Sequence, residues 1–374
     1  MCKIQSMVFL SNCFNHHQKN ICDELAARGG FVFIEITKIP QSRRTLGWDN
    51  VWPSYVVSRS ELDANRSYYQ NMIDQADVVI IGAAPISMVK ERIRNNKLTF
   101  LYSERLLKKG MELWKYPYRL IRGHNRYPVR KNVHLLCASA YAAQDYAMFF
   151  LFRKKCYKWG YFPPVYKYND VSKLIEQKKP HSLVWAGRFI AWKHPELVVE
   201  IGRRLKQDGI AFEIDMIGTG EEMDEVVRRI KRYGLENEIH LLGRVSPEVV
   251  REHMEKAEIH LFTSNRKEGW GAVLNEAMNG ACVPVACREA GSVPYLVNES
   301  NGFVYTSEDE LYKRVKWLLE NDEKRKQMAY AAYATIVDEW NAENASERLV
   351  ALAEYLLSEG KTGYIAESGV CSRA

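Results

Sequence analysis

Short apolar runs separated by amphipathic stretches recur along the whole chain. Residues 6–10, 31–36, 76–82, 98–102 and 134–138 are runs of strand length. They are mostly apolar and alternate with helical stretches, which argues a parallel sheet with helices on both faces. Residues 18–28 have helical spacing and stop at Gly29-Gly30, a helix-ending pair. Residues 139–159 extend the fifth run as a helix. The stretch holding Arg43, Arg44, Trp48 and Trp52 has no regular period.

Gly160-Tyr161-Phe162-Pro163-Pro164 breaks the alternation, and polar residues continue to Pro180. This is the expected linker. A second series then starts. Strands are expected at 182–186, 212–217, 238–242, 259–262 and 282–286. Helices are expected at 195–206, with Pro195 in a favoured first position, at 221–232, from the N-cap Ser246, and at 272–279. Helices dominate thereafter, at 308–319, 322–339 and 344–357, and the patternless tail 359–374 is expected to be mobile. The fold class is therefore α/β: two Rossmann-like doubly wound domains with a cleft between them. The boundaries are 1–165, 166–340 and a C-terminal segment 341–374. In such sheets ligands lie beyond the carboxyl ends of the strands.

Composition narrows the class. The 374 residues are enough for two cores, and 47% hydrophobic with 26% charged residues is ordinary for a soluble protein. No apolar run approaches the ~18 residues of a membrane span. Met1-Cys2-Lys3-Ile4 leads straight into a strand-like run without a cleavage pattern, so no signal peptide is expected. The eight Cys form no C-x-x-C pair, which fits scattered thiols in a reducing cytoplasm better than a disulfide frame or zinc site.

Charge is divided unevenly. Residues 1–165 hold 25 Lys+Arg against 12 Asp+Glu, a net of +13, and the rest hold 28 against 34. A basic half suits an anionic membrane surface, a phosphorylated substrate or nucleic acid, or is simply a solvated surface. No aromatic-basic module supports nucleic acid. The clusters Arg92, Arg94, Lys97, Lys108, Lys109 and Arg153, Lys154, Lys155, Lys158 are the expected lipid-facing cations.

The chemistry gathers in loops that follow the strands of the second series. Gly187-Arg188, with Lys193 five residues on, supplies two cations for a diphosphate. Gly218-Thr219-Gly220 and Gly243-Arg244 supply backbone that lets a flat base approach. Then come Ser264-Asn265-Arg266-Lys267-Glu268-Gly269-Trp270-Gly271-Ala272-Val273-Leu274-Asn275-Glu276. Strand, glycine loop and helix start make an anion site, because unpaired N–H groups converge at the positive end of the dipole. Glu268 in the loop and Glu276 two turns down the helix stand too far apart to share one atom. Two Glu residues eight apart are common among 46 acidic residues, and a solvated helix face would explain them equally. Their context gives them weight: a sugar nucleotide offers hydroxyls, a diphosphate and more hydroxyls.

This ordered set resembles the retaining nucleotide-sugar glycosyltransferases of the two-Rossmann-domain GT-B kind, family 4 (glycosyl transferases group 1). It covers residues 182–357, and Trp340-Asn341-Ala342-Glu343-Asn344 resembles the start of that family's last helix, which crosses back to the first domain. The resemblance implies that the second domain binds the donor and the first the acceptor. Arg188 and Lys193 would neutralise the leaving diphosphate. Glu268 would bind donor-sugar hydroxyls and Glu276 the ribose diol. Gly187, Gly218, Gly269, Trp270, Gly271, Ala272 and Val273 would cradle sugar and phosphate, and Gly243 with Arg244 would flank the base. It implies no cofactor and no metal, and the sequence has no D-x-D motif. The expected donor is a nucleotide sugar, with uridine a base-rate choice. The expected acceptor is a saccharide or a polyprenyl-diphosphate-linked saccharide at the inner face of the membrane.

The first half departs from the pattern. A Gly pair is replaced by Asn12-Cys13-Phe14-Asn15-His16-His17, and the family's histidine by Tyr102-Ser103-Glu104-Arg105. Asn15, His16, Glu104, Arg105 and His124 are the acceptor-side candidates, each weighed against capping, core or surface-pairing roles. Two other readings stay open: a sugar-nucleotide 2-epimerase, and a non-catalytic sugar-nucleotide-binding subunit.

Overall fold

The computed structural model describes residues 4–37, 52–127 and 131–374. The expectations placed on Met1 to Lys3 and on Arg43, Arg44 and Trp48 lie outside them. Two compact units divide the chain: Met1–Pro163 with Trp340–Ala374, and Pro164–Glu339.

The first unit is built on β1 (Met7–Ser11), β2 (Phe31–Glu35), β3 (Val56–Val57), β4 (Val78–Ile81), β5 (Thr99–Ser103), β6 (Val133–Cys137) and β7 (Cys156–Lys158). They pair in parallel in the order β3-β2-β1-β4-β5-β6-β7. β1, β4 and β6 are buried along their whole length, which is why their sequences do not alternate. The helix His16–Ala27 lies against the last long helix, Ala342–Leu357, and Arg28 Nε donates to Ser346 Oγ at 3.2 Å.

Three expectations are corrected in this unit. Residues 139–159 are not one helix. The helix is Ala142–Ala147; the chain then turns through left-handed Phe150, Phe152 and Lys154 and enters β7. An apolar run of this kind satisfies either period, and the edge of the sheet decides it. Nor is the tail free. The Cys371 amide donates to the Lys158 carbonyl at 2.8 Å and the Lys158 amide to the Ser372 carbonyl at 2.8 Å, while Val370 and Cys371 are fully buried. An edge strand carries a row of unpaired amides and carbonyls, and the tail satisfies part of it. Finally, several cations expected to face lipid serve the fold. Arg92 is fully buried, its guanidinium donating to the carbonyls of Ile73 (2.8 Å), Ala76 (2.6 Å) and Leu98 (2.7 Å). Lys97 Nζ donates to the Asp74 carbonyl and Lys155 Nζ to the Lys131 carbonyl.

The second unit holds β8 (Ser182–Ala186), β9 (Glu213–Ile217), β10 (Ile239–Gly243), β11 (Ile259–Phe262), β12 (Val283–Cys287) and β13 (Phe303–Tyr305). They pair in parallel in the order β10-β9-β8-β11-β12-β13. Leu183, Trp185, Ile214, Ile259, Leu261 and Val283 belong to one core layer, and Val184, Ile217, Ala277 and Cys282 to another. Each fully buried Leu, Ile or Val contributes about 1.5–3 kcal/mol of transfer free energy. The expected helix at 322–339 is Asp322–Ala334 followed by a wider π turn, Thr335–Glu339.

The order reverses between β8 and β11, so the loops after these strands diverge there and leave a crevice. The motif loops of the second unit follow β8, β9, β10 and β11.

Candidate active site

Lys193 and Glu268 span the reversal point. The loop after β8 carries Lys193 and the loop after β11 carries Glu268, and Lys193 Nζ stands 2.7 Å from Glu268 Oε2. Both side chains are largely screened from solvent, at 14% and 17% exposure. The loops are fixed by further bonds. Asn265 N donates to the Trp192 carbonyl at 2.9 Å, Thr263 Oγ1 donates to the Lys193 carbonyl, and Trp185 Nε1 donates to Thr263 Oγ1 at 2.8 Å. Asn265 Nδ2 meets His194 Nε2 at 2.9 Å, and the other ring nitrogen of His194 meets Glu196, a contact that raises the imidazole above its ordinary range. The sequence reading missed Thr263 and His194, since neither belongs to a motif, and gave Asn265, inside the motif stretch, no role.

Glu268 has one oxygen engaged and one to offer. Oε2 accepts from Lys193 and, at 3.2 Å, from Ser264 Oγ, while Oε1 takes no hydrogen bond among the described residues. Arg188 is exposed; its guanidinium stands 5.6 Å over the Trp192 ring and has no ion-pair partner among the described residues. One cation at this point is therefore neutralised and the other is free.

Trp270 is fully buried, with Nε1 donating to Asn275 Oδ1 at 2.9 Å and its carbonyl accepting from Ser292 Oγ at 2.7 Å. The bend that follows needs Gly271: φ is +89°, and a Cβ there would overlap the Phe262 ring. The helix Val273–Asn279 starts at Ala272, and its first-turn amides have no acceptors within the helix. Glu276 lies on this helix. It is half-buried, no group among the described residues donates to its carboxylate, and desolvation raises it above the ordinary glutamate range. Below the loop, His260 on β11 is fully buried, and burial pushes it down to about 4.

The glycines of the second loop have a structural duty. Gly218 (φ +127°) lies so close to the first loop that a Cβ would overlap the Gly187 carbonyl oxygen, and at Gly220 one would overlap the Phe189 carbonyl oxygen. Phe189 N donates to the Thr219 carbonyl at 2.9 Å. These glycines bring two loop backbones together, and the expected approach of a flat base is not needed to explain them. Gly218→Ala is expected to cost about 2–4 kcal/mol, from overpacking against fixed backbone plus the left-handed φ. Gly234→Ala, with φ +63° and open space, should cost about 1 kcal/mol. Urea melts of the two variants check this; equal midpoints would overturn it. Gly243 (φ +65°) follows a register shift in β10 and accepts from Gly218 N at 2.8 Å, and Arg244 beyond it is exposed.

The family comparison rests on this same unit. The model of the family "Glycosyl transferases group 1" matches residues 168–335. Over those residues the second unit is similar to the glycosyl transferases group 1 domain. The chain is 26% identical over 190 residues to the amylovoran biosynthesis glycosyltransferase AmsD of Erwinia amylovora, covering 50% of this chain and 52% of that one. It is 26% identical over 143 residues to the GtfA subunit of a UDP-N-acetylglucosamine–peptide N-acetylglucosaminyltransferase of Streptococcus gordonii, covering 38% and 27%. The matches thus span about half or less of these curated relatives. Among solved structures, Anabaena HepE in complex with UDP aligns with a TM-score of 0.68 at 16% identity, over 95% of this chain and all of that one. The fold is accordingly the two-domain GT-B fold.

The acceptor-side candidates of the first unit are held mostly by structural bonds. Asn15 is the N-cap of the helix His16–Ala27, its side chain accepting from His17 N at 3.0 Å. His16 is exposed beside His17, which stacks on Tyr161 at 5.5 Å. Glu104 is not paired with Arg105: it takes Lys108 and the Tyr161 hydroxyl, the latter at 2.5 Å. Arg105 pairs with Asp145 at 3.4 Å and lies 4.6 Å over the Tyr141 ring. His124 meets the Phe149 carbonyl at 3.0 Å on the helix Tyr116–Arg126. Glu104, Tyr161 and His17 thus come together at the carboxyl end of β5, whereas Arg105 and His124 are bonded elsewhere.

Proposed function

We propose that the protein is a retaining, metal-independent glycosyltransferase that moves a sugar from a nucleotide-sugar donor, UDP-linked by preference, to a saccharide or polyprenyl-diphosphate-linked acceptor. The observation that carries this reading is the Glu276 carboxylate: desolvated, without a hydrogen-bond donor, and one helix turn beyond a cation-lined crevice. A half-buried carboxylate without donors carries part of the desolvation cost, and a vicinal diol supplies two donors. In this reading Glu276 holds the ribose hydroxyls, Glu268 Oε1 a hydroxyl of the sugar, and Arg188, Lys193 and the first-turn amides of Ala272 and Val273 the diphosphate. The bond from the sugar's anomeric carbon to the phosphate oxygen breaks, and its electron pair stays on the diphosphate. The acceptor oxygen bonds to the same face of the oxocarbenium-like carbon, and its proton passes to the departing phosphate. Side-chain cations meet the growing charge where other transferases use a metal. The AmsD likeness supports envelope polysaccharide as the product class, made in the cytoplasm at the inner membrane face. Among the described residues no helix is long and apolar enough to cross a membrane.

The test is a hydrolysis screen of sugar nucleotides without acceptor, with and without excess chelator. Slow release of sugar from one nucleotide, unchanged by chelator, is expected. A flat response from folded protein would favour a binding subunit, and loss in chelator restored by magnesium or manganese would refute metal independence.

A further inference from the structure

We propose that the helix Tyr116–Arg126, with the cavity beside it, is the face by which the protein docks on an anionic lipid bilayer. Trp114 is 77% exposed, Ile121 63%, Tyr118 59% and Phe150 57%, and Leu106 and Met148 are exposed beside them. They form one neighbourhood. Tyr116 Oη donates to the Met148 carbonyl at 2.8 Å and its ring stacks on Phe149 at 5.2 Å, which ties the helix to the 148–150 turn. Phe150 carries a left-handed φ of +57° with its ring in solvent, an arrangement costly on both counts. Soluble monomers rarely leave such a group of large apolar side chains uncovered.

The charge beside it selects the partner. From Leu106 to Arg126 the sequence holds six Lys or Arg and one acid, Glu112, which pairs with Lys115 at 2.7 Å and Arg119 at 3.3 Å. A cavity of about 390 Å³ is lined by Lys115, Arg119, Arg122 and Arg126 over a floor of Phe149 and Leu151. Among the described residues Arg119 Nη1 is buried in this region without a hydrogen-bond partner, a bare guanidinium N–H that an anionic oxygen would satisfy. Lys115 and Arg122 lie over the Trp114 and Tyr118 rings, at 4.6 and 5.6 Å. Cations flanking aromatic and aliphatic side chains match the boundary between headgroups and acyl chains. A nucleic-acid backbone would use the cations but gain nothing from Ile121, Leu106 and Met148. The lipid phosphate enters the cavity and Trp114, Tyr118 and Ile121 enter the acyl boundary. The docking face rests on the lipid-linked acceptor reading only for its purpose, since lipid binding needs no sugar donor.

The test is co-sedimentation of the full chain with vesicles of phosphatidylcholine, with and without phosphatidylglycerol. Binding is expected only to the anionic vesicles, falling steeply with salt. Arg122→Ala should weaken partition roughly fivefold. Brominated acyl chains should quench tryptophan fluorescence in the wild type, and Trp114→Phe should remove most of that quenching while retaining binding. Equal binding to neutral vesicles, binding to neither, quenching unchanged in Trp114→Phe, or preference for duplex nucleic acid over vesicles would each overturn the proposal. The altered side chains are exposed, so the variants should fold. A variant that loses vesicles yet hydrolyses sugar nucleotides normally leaves the transferase reading intact.

Discussion

Lys193→Ala is expected to lower turnover roughly 10²–10³-fold while donor affinity falls much less. The ammonium is held 2.7 Å from Glu268, across the reversal point of the sheet, where its charge meets that carboxylate. A departing diphosphate gains negative charge as the glycosidic bond breaks, so the attraction to Lys193 grows along the reaction. Only interactions that strengthen in the transition state raise turnover. Arg188, exposed and without an ion-pair partner among the described residues, is free to meet the same group. Arg188→Lys should rescue only in part, because a guanidinium grips two oxygens and an ammonium one. Turnover and donor affinity must be measured separately for Lys193→Ala, Arg188→Ala and Arg188→Lys, together with the anomeric configuration of the product. Variants that lose only affinity, or a product of inverted configuration, would overturn the retaining, charge-stabilised mechanism.

Glu276→Ala should weaken donor binding by about 1.5–3 kcal/mol, the worth of a charged hydrogen bond, or roughly 10–150-fold. A 2′,3′-dideoxy nucleotide should bind wild type and mutant alike, because the mutation then removes nothing the ligand uses. Acidity gives a second readout. The carboxyl of Glu276 is raised by burial, so the fold favours the protonated form. The native state therefore holds the proton more tightly than the unfolded chain. Stability falls as pH rises from the unfolded value through the raised folded one, and Glu276→Gln should remove that component. Donor binding has the opposite slope: diol hydroxyls favour the ionised carboxylate, so affinity should rise with pH through the raised value and a proton should be released on binding. A wild type and a Gln variant with superimposable pH profiles of affinity would dismiss the assignment.

The sequence was legible where burial is uniform. β1, β4, β6, β8 and β11 are covered on both faces, so each appears as an unbroken apolar run that names both strand and sheet type. β3, β7 and β13 have two or three residues each and lie at sheet edges, where that signal lapses. The motif residues were legible as an ordered set, but their couplings were not. Nothing in the local pattern tells that Lys193 meets Glu268, or that Tyr161 meets Glu104 from 57 positions away. Such pairs depend on which strands become neighbours. The same reason hid the duty of Gly218 and Gly220, since the backbone they make room for lies some 30 residues earlier. Net charge located the basic half of the chain but could not sort its members: Arg92 closes a helix end inside the core, while Arg122 stands in solvent.

The first unit is assembled from both ends of the chain, and that has a consequence during synthesis. Residues 340–374 supply the helix against His16–Ala27 and the segment on β7, yet they leave the ribosome only after the whole second unit. The 211 residues between Pro163 and the end of the chain take roughly 10–40 s to translate at ordinary elongation rates. Throughout that interval the nascent first unit shows one bare helix face and one bare strand edge, whereas the contiguous second unit can close as soon as it emerges. The half of the protein that is made first is therefore completed only after the second has emerged.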